Sequence, residues 1–225
     1  MRLRRRLLKQ LDAVDKKLIF RLRGQSPKPR DCLHVIDVSS FQGVINWEYL
    51  SGVIDAAILR VGFVDAYYGG GFSKVDPQFK QNQLDARAAR ITIGYYYYGF
   101  FDESPITQAQ RFITAVGTPK KYETFWLDLE DRHPNATKDW VSAFIKTVEQ
   151  HTNRRCHIYT DYAWALEHPW INTFLGEDRN IWLAYYRRSR RIDLHGTPVG
   201  NIDMHQYSRR GRLPGISTFV DLSRF

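Results

Sequence analysis

Phe125–Arg132 reads FWLDLEDR, three acids set into a segment otherwise suited to a buried strand. Successive side chains of a strand point to opposite faces. Phe125, Leu127 and Leu129 therefore share one face, while Trp126, Asp128 and Glu130 share the other. An unpaired buried charge is costly. Two carboxylates one strand repeat apart thus mean either a salt-bridged structural strand or an acid/base site.

The chain on either side supplies the frame. Apolar runs at 33–39, 56–63, 91–98, 124–130, 156–160, 181–186, 202–207 and 218–222 read as strands. Helical patterns lie at about 46–54, 76–90, 106–117, 137–151 and 162–167. Asp76 as N-cap with Pro77 at the first helical position is expected to open the second helix, and Thr137 to cap the fourth. Strands alternating with helices imply a parallel sheet, and eight within residues 31–225 suggest an α/β, TIM-like barrel. The last three strands leave little room for helices between them, so the barrel is expected to lose its helices near the end.

In such barrels the working groups sit at the C-terminal ends of the strands. Asp37 ends the first strand, Asp128 and Glu130 end the fourth, and Asp221 lies in the last. Four carboxylates are therefore expected on one rim. The competing reading pairs each with a nearby arginine.

Composition bounds the rest. Of 225 residues, 43% are apolar and 14% aromatic, enough for a large core and against global disorder. No apolar run is long enough to span a membrane. Cys32 and Cys156 make neither a disulfide framework nor a CxxC motif, and the seven histidines show no metal-ligand spacing. No metal or organic cofactor is expected. The net charge of +9 resides in residues 1–30, where eleven basic residues face two acidic ones; residues 31–225 balance. A nucleic-acid partner is not expected, since the body has no basic bias.

Residues 1–30 form a separate basic tail. Leu3, Leu7, Leu11, Val14, Leu18 and Leu22 line one face of an amphipathic helix with a cationic opposite face, and Pro27 and Pro29 make an extended linker. The helix over 1–24 is expected to lie on an anionic membrane or wall polymer, to dock on the barrel or another subunit, or to serve as a solubilising tail. Charged residues interrupt the apolar core that a secretory signal requires. Synthesis in the cytoplasm and release by some other route is the expectation, with a monomer favoured.

Six blocks carry a family resemblance: DVSSFQGVINW (37–47), IGYYYYGF (93–100), WLDLED (126–131), IYTDYAW (158–164), IWLAYY (181–186) and HQYS…VDLSRF (205–225). In this order they resemble glycoside hydrolase family 25, the lysozymes (N-acetylmuramidases) of phages, bacteria and some fungi. The resemblance covers everything but the tail. It implies a (β/α)5(β)3 barrel and hydrolysis of the β-1,4 bond from N-acetylmuramic acid to N-acetylglucosamine in peptidoglycan. By the same resemblance Glu130 is the general acid and Asp128 its partner carboxylate. Asp37 and Asp221 are the acids after the first strand and in the C-terminal block, and Tyr96 and Tyr186 match family tyrosines. His205 stands where tryptophan is frequent, Tyr97 where histidine is, and RVGFVD (60–65) where many members read KATEG. These departures leave the acids intact and concern substrate contacts near Arg60 and His205.

Glycoside hydrolysis needs a proton for the departing oxygen and stabilisation of an oxocarbenium-like centre. Crowded carboxylates raise one another's pKa, which lets Glu130 hold a proton near neutrality. Asp128 lies about 6.6–6.8 Å from Glu130 along the strand, Cα to Cα, and would orient the substrate's 2-acetamido group or assist a water. Tyr67, Tyr68, Tyr96, Tyr98 and Tyr186 are expected to contact sugar, with His205 a further contact. Tyr95 and Tyr97 have the parity of core residues, and Trp126 that of barrel filling. Two alternatives remain: a non-catalytic glycan-binding barrel, and a hydrolase of another N-acetylated polymer such as chitin.

Overall fold

The computed structural model describes residues 33–64, 73–175, 179–186, 199 and 202–225. The expectations for the tail, Cys32, Tyr67 and Tyr68 lie outside the described residues. Among the described residues nine strands are present: β1 (His34–Val38), β2 (Ala56–Val64), β3 (Ser73–Val75), β4 (Thr92–Tyr98), β5 (Thr124–Leu129), β6 (Cys156–Asp161), β7 (Ile181–Ala184), β8 (Met204–Gly211) and β9 (Val220–Arg224). All but β3 close into a barrel, in the order β1, β2, β4, β5, β6, β7, β8, β9 and back to β1.

Five helices follow the early strands: α1 (Trp47–Leu50), α2 (Phe79–Ala88), α3 (Pro105–Val116), α4 (Lys138–Thr152) and α5 (Tyr162–Glu167). Among the described residues the last three barrel strands have none, which is the (β/α)5(β)3 arrangement. Local chemistry sets several ends. The Thr137 hydroxyl accepts from Trp140 N, Ser104 caps α3 ahead of Pro105, and Asn153 at φ 50° terminates α4.

Asp76 departs from the expected N-cap role. α2 starts two residues later than expected, with no side-chain cap at Gln78; Asp76 Oδ1 still accepts from Gln78 N at 2.8 Å in the turn before it, while Oδ2 holds Arg60 at 2.7 Å and the Ser40 N–H at 2.9 Å. One carboxylate thus serves both the turn into α2 and an arginine on the neighbouring strand β2.

The barrel strands β1, β2 and β4 to β8 pair in parallel, but β9 runs antiparallel to both β8 and β1. A parallel return needs a crossover of a dozen or more residues, and only residues 212–219 separate β8 from β9. The short connection dictates the reversal. β3 is a short antiparallel flank on β2 that no apolar run announced.

Two cores result from strand alternation. Tyr95, Tyr97, Phe112, Phe125, Leu127 and Phe144 fill the layer between strands and helices. Val35, Ile58, Trp126, Tyr159, Trp182 and Met204 fill the barrel itself. Gly94 makes that inner packing possible, since a Cβ there would fall 2.4 Å from Thr124 Oγ1 and 2.8 Å from Ile58 Cδ1. At the bulge of β2 between Arg60 and Gly62, a Cβ on Gly62 would strike the Tyr97 ring at 2.1 Å.

Candidate active site

The barrel mouth collects the inward-facing residues at the strand ends. β1 contributes Asp37, β5 contributes Asp128, and Glu130 follows one residue past its end. Asp221 lies at the start of β9, not at a C-terminal end. Because β9 runs downward, its start lies at the same mouth, and Asp221 pairs in register with Asp37. Tyr98 pairs with Asp128 across β4 and β5. Tyr96 sits deeper on β4, within the influence of Asp37, Asp128 and Asp221.

Trp126, Tyr159 and Trp182 form the floor. The Trp126 and Trp182 rings meet edge-on at 5.7 Å, and those of Tyr159 and Trp182 at 4.3 Å. This apolar floor strips water from the acids above it and disfavours their charged forms. Burial first, then the Glu130 and Asp37 charges, pushes Asp128 well above the usual carboxylate range. Asp37 rises likewise through burial and then Asp221, with which it shares a hydrogen bond. Asp221 is raised chiefly by burial. Glu130 is pushed up to about 7 by burial and then by Asp161. The nearby Arg132 directs its guanidinium to Glu167 at 2.9 Å and Asp161 at 3.5 Å, leaving the four rim acids without a partner arginine among the described ion pairs. The paired structural reading of FWLDLEDR therefore does not hold.

Two residues that strand parity pointed to, but that were not singled out, tie the rim together. Gln206 on β8 donates from Nε2 to Asp37 Oδ2 at 2.9 Å, and its Oε1 accepts from Tyr159 at 3.0 Å and from Tyr186. The Tyr159 hydroxyl also lies 3.2 Å from Glu130 Oε1. Gln206 shares the inward parity of Met204, and Tyr159 that of His157.

His205 belongs elsewhere. One residue from Gln206, it points to the outer face of the barrel, where Nε2 meets the Tyr185 carbonyl at 2.8 Å. It is only 7% exposed, and burial pushes its pKa down. The expectation of a sugar contact there is corrected by strand alternation: Gln206 occupies the mouth, so His205 faces away from it. Tyr96, Tyr98 and Tyr186 do reach the mouth, and Tyr186 is 46% exposed. Tyr95, Tyr97 and Trp126 pack as their parity implied.

A closed barrel with a carboxylate cluster at the strand-end mouth is the architecture of a barrel glycoside hydrolase. Residues 36–216 match glycosyl hydrolases family 25, and the chain belongs to that family. The uncharacterised protein YegX of Escherichia coli K12 is 30% identical over 205 residues, covering 86% of this chain and 69% of that protein. Lysozyme M1 of Streptomyces globisporus is 28% identical over 209 residues, covering 84% and 66%. The crystal structure of a Streptomyces coelicolor lysozyme superposes with a TM-score of 0.70 at 24% identity, over 86% of this chain and 91% of that one. The superposition shows the barrel to be shared at that identity.

Proposed function

We propose that this glycoside hydrolase is a muramidase that cleaves the β-1,4 bond from N-acetylmuramic acid to N-acetylglucosamine in peptidoglycan, with Glu130 as its general acid. The observation that carries this reading is the convergence of Asp37, Asp128, Glu130 and Asp221 at one mouth, with Glu130 raised to about 7. Its proton passes to the glycosidic oxygen as the bond from the anomeric carbon breaks. The carbonyl oxygen of the 2-acetamido group closes on that carbon, and Asp128 accepts the amide N–H that becomes positive. Asp128 Oδ1 suits this role, being buried with no hydrogen-bond partner in the protein. Glu130, now a carboxylate, takes a proton from the water that opens the cyclic intermediate, which returns the acid to its starting state. Asp37 and Asp221 hold the sugar or Asp128 in place, and Tyr96, Tyr98 and Tyr186 contact the sugars.

The same reading takes residues 1–24 as an adhesive segment for anionic wall polymer or membrane, supported by their charge. It takes the protein to act at the wall after release from the cytoplasm. The decisive experiment digests purified peptidoglycan and identifies the new reducing end. N-acetylmuramic acid at that end, absent with Glu130→Gln, supports the proposal. N-acetylglucosamine ends, or equal cleavage of chitin, refute it, and binding without any new ends makes the protein a glycan-binding barrel.

A further inference from the structure

We propose that Gln206 is a positioning residue that claims the one hydroxyl hydrogen of Tyr159, so that Tyr159 meets Glu130 as an acceptor and Glu130 keeps the proton it delivers. The inference rests on Glu130 being the general acid and deepens that reading.

Gln206 is 1% exposed, and both ends of its amide are engaged. Its carbonyl oxygen has two lone pairs and faces two phenols, Tyr159 at 3.0 Å and Tyr186. Its Nε2 faces Asp37 Oδ2 at 2.9 Å. Turned around, the amide would set a carbonyl oxygen against a carboxylate oxygen, which holds only with a proton on that oxygen. In the observed setting, any proton that Asp37 shares with Asp221 is confined to Asp37 Oδ1 or to Asp221.

Tyr159 has one hydrogen to give and faces Gln206 Oε1 at 3.0 Å and Glu130 Oε1 at 3.2 Å, with the Tyr186 hydroxyl, itself turned to Gln206, beside them. Donated to Glu130, it would favour the carboxylate and release the acid's proton early. Donated to Gln206, it leaves only lone pairs facing Glu130, and that contact is then a hydrogen bond only while Glu130 is protonated. The other charged or titratable groups around Glu130 are Asp128 on its own strand, Asp37 on β1, Tyr98 on β4, Asp161 on β6, Tyr186 after β7, Asp221 on β9 and Arg132. Of these elements, β6 supplies the contact whose direction Gln206 sets.

The test measures kcat/KM against pH on purified peptidoglycan with the full-length protein, and melting curves show that each variant is folded. Gln206→Met frees the phenol, and the basic limb of the profile is expected to fall by about one pH unit. In a Tyr159→Phe background the same substitution should leave the limb where that background puts it. Gln206→Glu retains an acceptor for Tyr159 and adds negative charge, so its limb should hold or move upward. A merely structural Gln206 would lower the rate equally at every pH. An unmoved limb in Gln206→Met, an equal shift in the Tyr159→Phe background, or a downward shift in Gln206→Glu overturns the proposal. Because the wild-type reducing ends and the Glu130→Gln loss are measured separately, this role can fail while the muramidase reading stands.

Discussion

Asp37 and Asp221 sit directly opposite each other on antiparallel strands, two carboxyls from the two ends of the barrel sequence joined by a hydrogen bond. Like charges so placed do not both ionise at little cost, so the pair holds a proton into a range where isolated aspartates are charged. Asp221→Asn should therefore keep or improve thermal stability near neutral pH while lowering peptidoglycan hydrolysis at least tenfold. A melting temperature that drops by several degrees would mean that the charged Asp221 is a structural partner instead.

Replacing the general acid has a kinetic and a thermodynamic signature. Glu130→Gln should lower hydrolysis by about 10²–10⁴-fold, the usual worth of positioned proton transfer. Its effect on stability follows from proton linkage. The folded protein raises Glu130 from 4.5 to about 7, so between those values it binds more protons than the unfolded chain. Stability then falls as pH rises through that window, by on the order of 3 kcal/mol at most. Denaturant titrations from pH 4 to 8 should show this slope in the wild type and a shallower one in Glu130→Gln.

His205 gives a contrasting case. Its side chain lies on the outer face, tied to the Tyr185 carbonyl. His205→Gln should keep kcat and KM within about twofold while costing about 1 kcal/mol of stability for the disturbed buried contact. A large rise in KM would return His205 to the substrate surface.

The Asp76–Arg60 pair is structural, with the Asp76 carboxylate fully buried. Asp76→Ala strands a half-buried guanidinium and frees the Ser40 N–H. A loss of about 2–3 kcal/mol is expected, below the full cost of a broken buried pair because Arg60 retains some solvent. Urea denaturation measures it directly.

Deleting residues 1–24 tests the adhesive tail. Binding to walls or cells should weaken, and the difference should shrink as salt screens the lost charges. Equal sedimentation of both forms at low and high salt would exclude the role.

Much of this was legible in the chain because strand parity is strict. The parity of Trp126, Asp128 and Glu130 identified the inner face, and the outward parity of Tyr95 and Tyr97 placed them among the helices. The direction of β9 was not assigned, although the brevity of 212–219 contains it. Gln206 is not marked in the sequence because the family pattern breaks at its neighbour His205, and alternation by one residue separates mouth from outer wall. Asp76 carries only a local helix-start signal in the sequence, whereas its ion pair with Arg60, sixteen positions upstream, forms only after the strands assemble.

The downward course of β9 has a practical corollary. It returns Phe225 to the pole of the barrel where β1 begins, and its N–H meets the Leu33 carbonyl at 3.3 Å. Both ends of the described body thus emerge on the side opposite the acids. Immobilising the protein on a bead through Phe225 should leave its mouth facing outward, open to a polymer far larger than itself.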